Sequence, residues 1–360
     1  MHRRGGMASA RYARFRSLLH FRLFALHRRR TAAAERLTIP DVLFSLTRYN
    51  DRECLEKFRF TKADILRLVD GFALPDRIVT PERTTCSNVE AVCIVLRRFA
   101  VPDRWSDLID MFGRSCSGMS NIFLHTIDLI YTRFESKLYL DVDRVAGRLD
   151  EFCSAVVQRG AEIHNVWGFI DGTVRECCRP SGGVEQRSMY NGHKRRHAIK
   201  FQTVVTPDGI ISHVFGPIEG RRHDLTMLRR SSLENFIASD IRFAGYVIYG
   251  DPAYGRSNQL ASPFGGANLT AAQKTINASM SRVRVSVEWS YGQVLQYWPI
   301  VDFKKKVKLG CGPSSKIYKI AVLLTNCVTC ARRGNTNSSY FGLMPPTLEE
   351  YLLVSNEIVI

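Results

Sequence analysis

The chain has 360 residues and is 45% apolar, enough to bury a large core, so it is neither disordered nor fibrous. Its 51 Lys and Arg against 34 Asp and Glu give a formal charge of +17, which points to a polyanionic partner, most simply nucleic acid. No apolar run reaches the roughly 18 residues of a membrane-spanning helix, and the ten cysteines lack the spacing of a secreted disulfide framework, which suits a soluble protein in a reducing compartment.

Residues 1–40 form a basic N-terminal segment. The first 34 hold no acid and nine arginines, ending in Arg28, Arg29 and Arg30, with Phe15, Leu18, Phe21 and Leu23 among those interleaved. Three readings stay open: a nuclear-import and DNA-binding arm, a mitochondrial transit peptide, or sequence that the intact gene does not translate.

Residues 41–160 are predicted to be a helical region. Apolar residues recur at three and four through Phe60, Ile65, Leu68 and Val69, then Val89, Val92, Cys93 and Leu96, with Thr61 as an N-cap and Gly71 as a stop. A short helix over 103–112, a break at Gly113 to Ser115 and a longer helix through Met119 and Ile130 have the outline of a helix-turn-helix. The same outline fits a corner of a helical bundle, and Asp128 on the outer face of the second helix would repel phosphate.

After a helical connector over 145–159 the period changes. Strands are predicted over 166–170, 198–206, 210–216 and 246–250, with a turn at 207–209 and a helix from Asp224 to about Phe236. Helices follow over 271–280, 283–296 and 320–331. The last contains Cys327 and Cys330, but no second pair or spaced histidines complete a zinc site, so these read as buried helix cysteines. This order is that of an α/β, RNase H-like core, a mixed sheet flanked by helices, over residues 161–352.

Four acids stand out within it: Asp171, Asp224, Asp251 and Glu288. Asp171 and Asp251 each end an apolar strand, where an unpaired carboxylate is costly. Taken singly they have ordinary explanations: Asp171 as a turn cap, Asp251 in the turn before Pro252, Glu288 paired with Arg284, and Asp224 as the N-cap of its helix. Brought together they would repel and rise in pKa unless a divalent cation reversed the balance, which points to a hard-metal site.

The runs Ile170-Asp171-Gly172-Thr173, Gly220-Arg221-Arg222-His223-Asp224, Gly250-Asp251-Pro252-Ala253-Tyr254 and Val287-Glu288-Trp289-Ser290-Tyr291-Gly292, in this order, resemble the signatures of PIF/Harbinger-type DDE transposases and HARBI-like nucleases. The resemblance implies that Asp171, Asp251 and Glu288 are a catalytic triad, that with Asp224 as a further or supporting ligand they hold two divalent ions, Mg²⁺ or Mn²⁺, and that the chain cleaves DNA by two-metal chemistry, with strand transfer as an extension. It also implies a Myb-like DNA-binding partner and a nuclear location; the arginine-rich N-terminus keeps the mitochondrion as the alternative. Self-association is left open. Lys194, Arg195, Arg196 and Lys200, and then Lys304, Lys305, Lys306 and Lys308, are expected to contact phosphates. The alternatives are a catalytically silent, domesticated DNA-binding or scaffold protein, and a helix-turn-helix regulator.

Overall fold

The computed structural model describes residues 37–102, 104–302 and 313–354; the basic arm over 1–36 and Lys304, Lys305, Lys306 and Lys308 lie outside them. The first described half is helical. α1 (Asp51–Phe58) starts from a capping box in which Asn50 accepts from the Glu53 N–H at 2.9 Å and Glu53 accepts from the Asn50 N–H at 2.8 Å. α2 (Lys62–Phe72) is capped by Thr61 as predicted, but Gly71 is inside the helix, which ends at Ala73 with φ 47°. Gly71 serves contact rather than termination: a Cβ there would lie 2.4 Å from Leu352 Cδ1, in the C-terminal helix.

A two-stranded hairpin, β1 (Arg77–Val79) and β2 (Thr85–Ser87), interrupts a stretch expected to be wholly helical. Strands of three residues carry too little alternation to be read from the sequence. α3 (Asn88–Ala100) and the single-turn α4 (Ile109–Phe112) follow. Gly113 ends α4 at φ 58°, where a Cβ would strike the Val42 carbonyl oxygen at 1.8 Å. Ser115 then caps the 24-residue α5 (Cys116–Tyr139). α5 packs on α3 and on elements of the second half, and Asp128 on its outer side is ion-paired with Lys316. α6 (Val142–Ala146) and α7 (Leu149–Gln158) complete the region.

The second half is a mixed sheet with helices on both faces. Its central strand, β3 (Val166–Glu176), runs six residues beyond the expected end at 170. Asp171 and Gly172 read as terminators, yet pairing with β5 carries the strand past them. α8 (Gly183–Met189) and β4 (Tyr190–Asn191) lead to the hairpin of β5 (Arg196–Val205) and β6 (Ile211–Glu219). The expected single helix after Asp224 is two, α9 (Asp224–Ser231) and α10 (Leu233–Ala238), broken where Ser232 adopts φ 54°. β7 (Val247–Tyr249) and β8 (Leu260–Ala261) are parallel additions, and α11 (Ala271–Arg284), α12 (Ser286–Tyr297), α13 (Ser314–Ala331), α14 (Thr336–Phe341) and α15 (Leu348–Leu352) follow. β5 is antiparallel to β3 on one side and β7 parallel to it on the other, with β4 and β6 on the outer edge of β5 and β8 outside β7. Helical N-terminal region and mixed α/β sheet agree with the expected RNase H-like organisation.

The sheet divides two cores. Phe169, Phe201 and Tyr249 join α12, α13 and the N-terminal helices in the larger one, while Ile170, Val204 and Ile248 join α7, α9 and α10 in the other. One buried charge pins the N-terminal half to the β5–β6 hairpin. Asp208 is 0% exposed and accepts from Arg144 Nη1 at 2.5 Å, Arg148 Nη1 at 3.0 Å and Thr206 Oγ1 at 2.6 Å. Removing one member of such a set strands buried charge. Asp208→Ala is expected to cost about 3–5 kcal/mol, read as a lower urea midpoint at an unchanged slope.

Candidate active site

Asp171 lies in mid-strand, on the same face as Phe169 and hence toward α12. Tyr291 on α12 holds this point: its hydroxyl donates to the Asp171 carbonyl oxygen at 2.9 Å and shares a 2.8 Å hydrogen bond with Thr203, the register partner of Asp171 on β5. The Asp171 carboxylate accepts from the Gly172 N–H at 2.9 Å. Arg284 Nη1 stands 3.9 Å from it, too far for a hydrogen bond, and has no other acceptor. Burial therefore dominates and pushes the Asp171 carboxyl up to about 6; the Gly172 N–H and Arg284 oppose the rise, and Asp251 and Asp224 add to it.

Asp251 follows β7. Tyr249 is in register with Phe169, so Asp251 and Asp171 each come two residues after a paired position on adjacent parallel strands. Gly250 permits the approach, since a Cβ there would meet Ile170 Cγ2 at 2.8 Å. The Asp251 side chain caps the following 3₁₀ turn, accepting from the Ala253 N–H at 2.9 Å. Within that turn Tyr254 is 2% exposed, and its phenol is held well above its ordinary pKa by burial, then by Tyr291 and by Asp224, Asp171 and Asp251. The three aspartates thus share one electrostatic neighbourhood.

Glu288 is on α12, exposed, and among the described residues its carboxylate has no hydrogen bond or ion pair; the expected pairing with Arg284 is absent because Arg284 leans to Asp171. Arg284, Glu288 and Tyr291 are spaced by four and three residues along a stretch joined through Val285 in αR conformation, and such spacing shares one helix face. The outer two touch Asp171. This face was legible as helical periodicity, but the contacts of Arg284 and Tyr291 with Asp171 were not, because they join α11 and α12 to β3 across the fold.

Asp224 approaches from the other face of the sheet. A Cβ on Gly172, the neighbour of Asp171, would lie 2.8 Å from Asp224 Oδ1, so only glycine admits the carboxylate there. His223 occupies the N-cap position, and Asp224 instead pairs with Lys200, whose ammonium also donates to the Arg222 carbonyl at 3.1 Å. Lys200 is 6% exposed, and its charge is committed inside the protein rather than to a phosphate outside it. Lys194, Arg195 and Arg196 are exposed between β4 and β5, with Arg196 bonded to Glu176 at 2.8 Å.

Among the described residues no three acid, imidazole or thiol groups converge tightly enough to ligate one cation. The donor chemistry nevertheless fits a hard divalent ion: Asp171, Asp251 and Glu288 offer oxygen only, and Asp171 lacks a full counter-charge. The buried carboxyl also has a cost. Between its unfolded pKa near 4 and its folded value of about 6 the native state holds the extra proton, so stability is lost as pH rises through that window, by roughly 3 kcal/mol in full. Asp171→Asn is therefore expected to raise the melting temperature of metal-free protein at pH 7.5 and to leave it nearly unchanged at pH 4.5, as read by calorimetry.

No match is found among curated proteins or among solved structures. Residues 170–326, from Ile170 beside Asp171 to Asn326 within α13, match the family described as DDE superfamily endonuclease.

Proposed function

We propose that the protein is a divalent-metal-dependent DNA endonuclease of the Harbinger type, with Asp171, Asp251 and Glu288 as its ligating acids and Asp224 as a support held by Lys200. The observation that carries this reading is the pair of aspartates, Asp171 and Asp251, following paired positions of adjacent parallel strands, the first desolvated and without a hydrogen-bonded cation. When bound, a pair of Mg²⁺ or Mn²⁺ ions supplies Lewis acidity to the attacking and leaving oxygens of a phosphodiester.

The chain's own groups do the positioning. Tyr291 fixes the backbone at Asp171, Gly250 lets the two strands close, and Asp171 gives up its proton to become a ligand. Glu288 is unpaired and exposed, so its side chain is free to turn along the α12 face toward Asp171. Lys194 and Arg195 sit outside the acids and suit backbone phosphates. The Myb-like partner and nuclear location implied by the sequence resemblance belong to the same proposal. The lack of a converged set of three acids among the described residues favours a second reading, a catalytically silent DNA-binding protein.

Nicking of supercoiled plasmid separates the two. Cleavage is expected with Mg²⁺ or Mn²⁺ and none with EDTA, and Asp171→Ala, Asp251→Ala and Glu288→Ala are each expected to lower the rate about 10³-fold, the scale of losing several kcal/mol of Lewis-acid stabilisation. Inert wild-type protein that still binds DNA would select the silent reading. Since Asp171 must be ionised to ligate, metal affinity measured by titration calorimetry is expected to fall about tenfold per pH unit below about 6 and to level off above it.

A further inference from the structure

Arg175 is a buried cation without a counter-ion among the described residues. It is 7% exposed, stacks over the Tyr318 ring at 5.3 Å, and makes one long hydrogen bond, 3.5 Å from Nη2 to the Tyr318 hydroxyl. Its Nε is buried with no acceptor, and no carboxylate among the described residues pairs with it. The aromatic ring offsets part of the desolvation, but a guanidinium in this position is one anion short.

The same side chain lines a cleft of about 620 Å³. Lys194 and Arg196 border it from the β4–β5 turn, and Pro299 and Val301 from the 3₁₀ turn after α12. Two acids also border it: Glu176, which is already neutralised by Arg196, and Asp302. Among the described residues that border the cleft, Arg175 and Lys194 are the cations with no carboxylate paired to them. Arg175 and Asp171 are four residues apart on β3 and therefore on one face, about 13 Å from each other. That separation is a few nucleotides at most along one strand, since a strand winds round the duplex and its phosphates lie farther apart than their axial rise of about 3.4 Å.

We propose that this cleft seats a backbone phosphate of DNA a short distance along the strand from Asp171, with the Arg175 guanidinium as its buried anchor and Lys194 at its mouth. A phosphate in the cleft supplies the counter-charge that the guanidinium lacks, and a fork-shaped donor suits a tetrahedral anion. The inference rests on the reading of Asp171 as the place where DNA is cut, but its contacts are to the backbone and independent of cleavage.

The test is binding of a fluorescein-labelled duplex by full-length protein in EDTA, followed by anisotropy over a series of NaCl concentrations. Arg175→Gln is expected to weaken binding about tenfold and to lower the slope of log affinity against log salt by about 1, as for one lost phosphate contact. Lys194→Gln, at an exposed position that leaves the core intact, is expected to lower the slope likewise and keeps the test available if the Arg175 variant fails to fold. Arg52→Gln on α1 serves as the charge-matched comparison. Wild-type affinity and slope in both cleft variants overturn the proposal, and if Mg²⁺-dependent cleavage persists beside them the nuclease reading survives. Loss of binding in the variants together with an inert wild-type protein upholds the phosphate cleft and removes the nuclease. Wild-type protein that binds no duplex removes both.

Discussion

Two-sided hydrogen bonding of β3 is the constraint from which the rest of the structure follows. Antiparallel pairing with β5 extends it to Glu176, while parallel pairing with β7 stops opposite Phe169. The difference in length opens a notch beside Asp171, where a partner strand would otherwise lie, and Asp251 enters as β7 turns away. An acid in mid-strand is thereby held as rigidly as a core residue yet stays reachable.

Rigidity here is obtained at some expense in electrostatics. The large core under Phe169 and Tyr249 limits the access of water to the Asp171 carboxyl, and Arg284 stops short of full pairing. Elsewhere the fold treats buried charge differently: Asp208 receives two guanidinium groups and a hydroxyl, and Glu90 is gripped by Arg114. The contrast is informative because the same chain satisfies one buried acid and leaves another short, a pattern expected where strain serves a site rather than stability. Arg175 repeats the pattern with the opposite sign on the same strand.

Much of this was legible in the sequence. Apolar runs ending in Asp171 and Asp251 announced two adjacent strands, and the helical periods of α2, α3, α5 and α12 were readable because amphipathic helices of eleven residues or more repeat their signal several times. The continuation of β3 through Asp171-Gly172 was not, since its cause is pairing with β5, a tertiary contact that overrides local propensity. Gly71 likewise reads as a helix end and is instead the seat of Leu352, a residue far along the chain. At the site, the acids were visible as residue types, but the face on which each one stands was not. Asp224 lies across the sheet from the others because Gly172 has no side chain to block it, and Lys200 is drawn inward to meet it.

The described cysteines are all free thiols, and the two of α13 are deeply enclosed, Cys327 at 0% and Cys330 at 1% exposure. Burial holds both thiols well above their ordinary pKa, so the reactive thiolate is suppressed as long as the helix stays packed. α13 touches α5, α12, β6 and α15, elements drawn from both halves of the chain. Alkylation of Cys327 and Cys330 thus requires the whole assembly to come apart, and the molecule carries within its central helix a chemical clock for its own global opening.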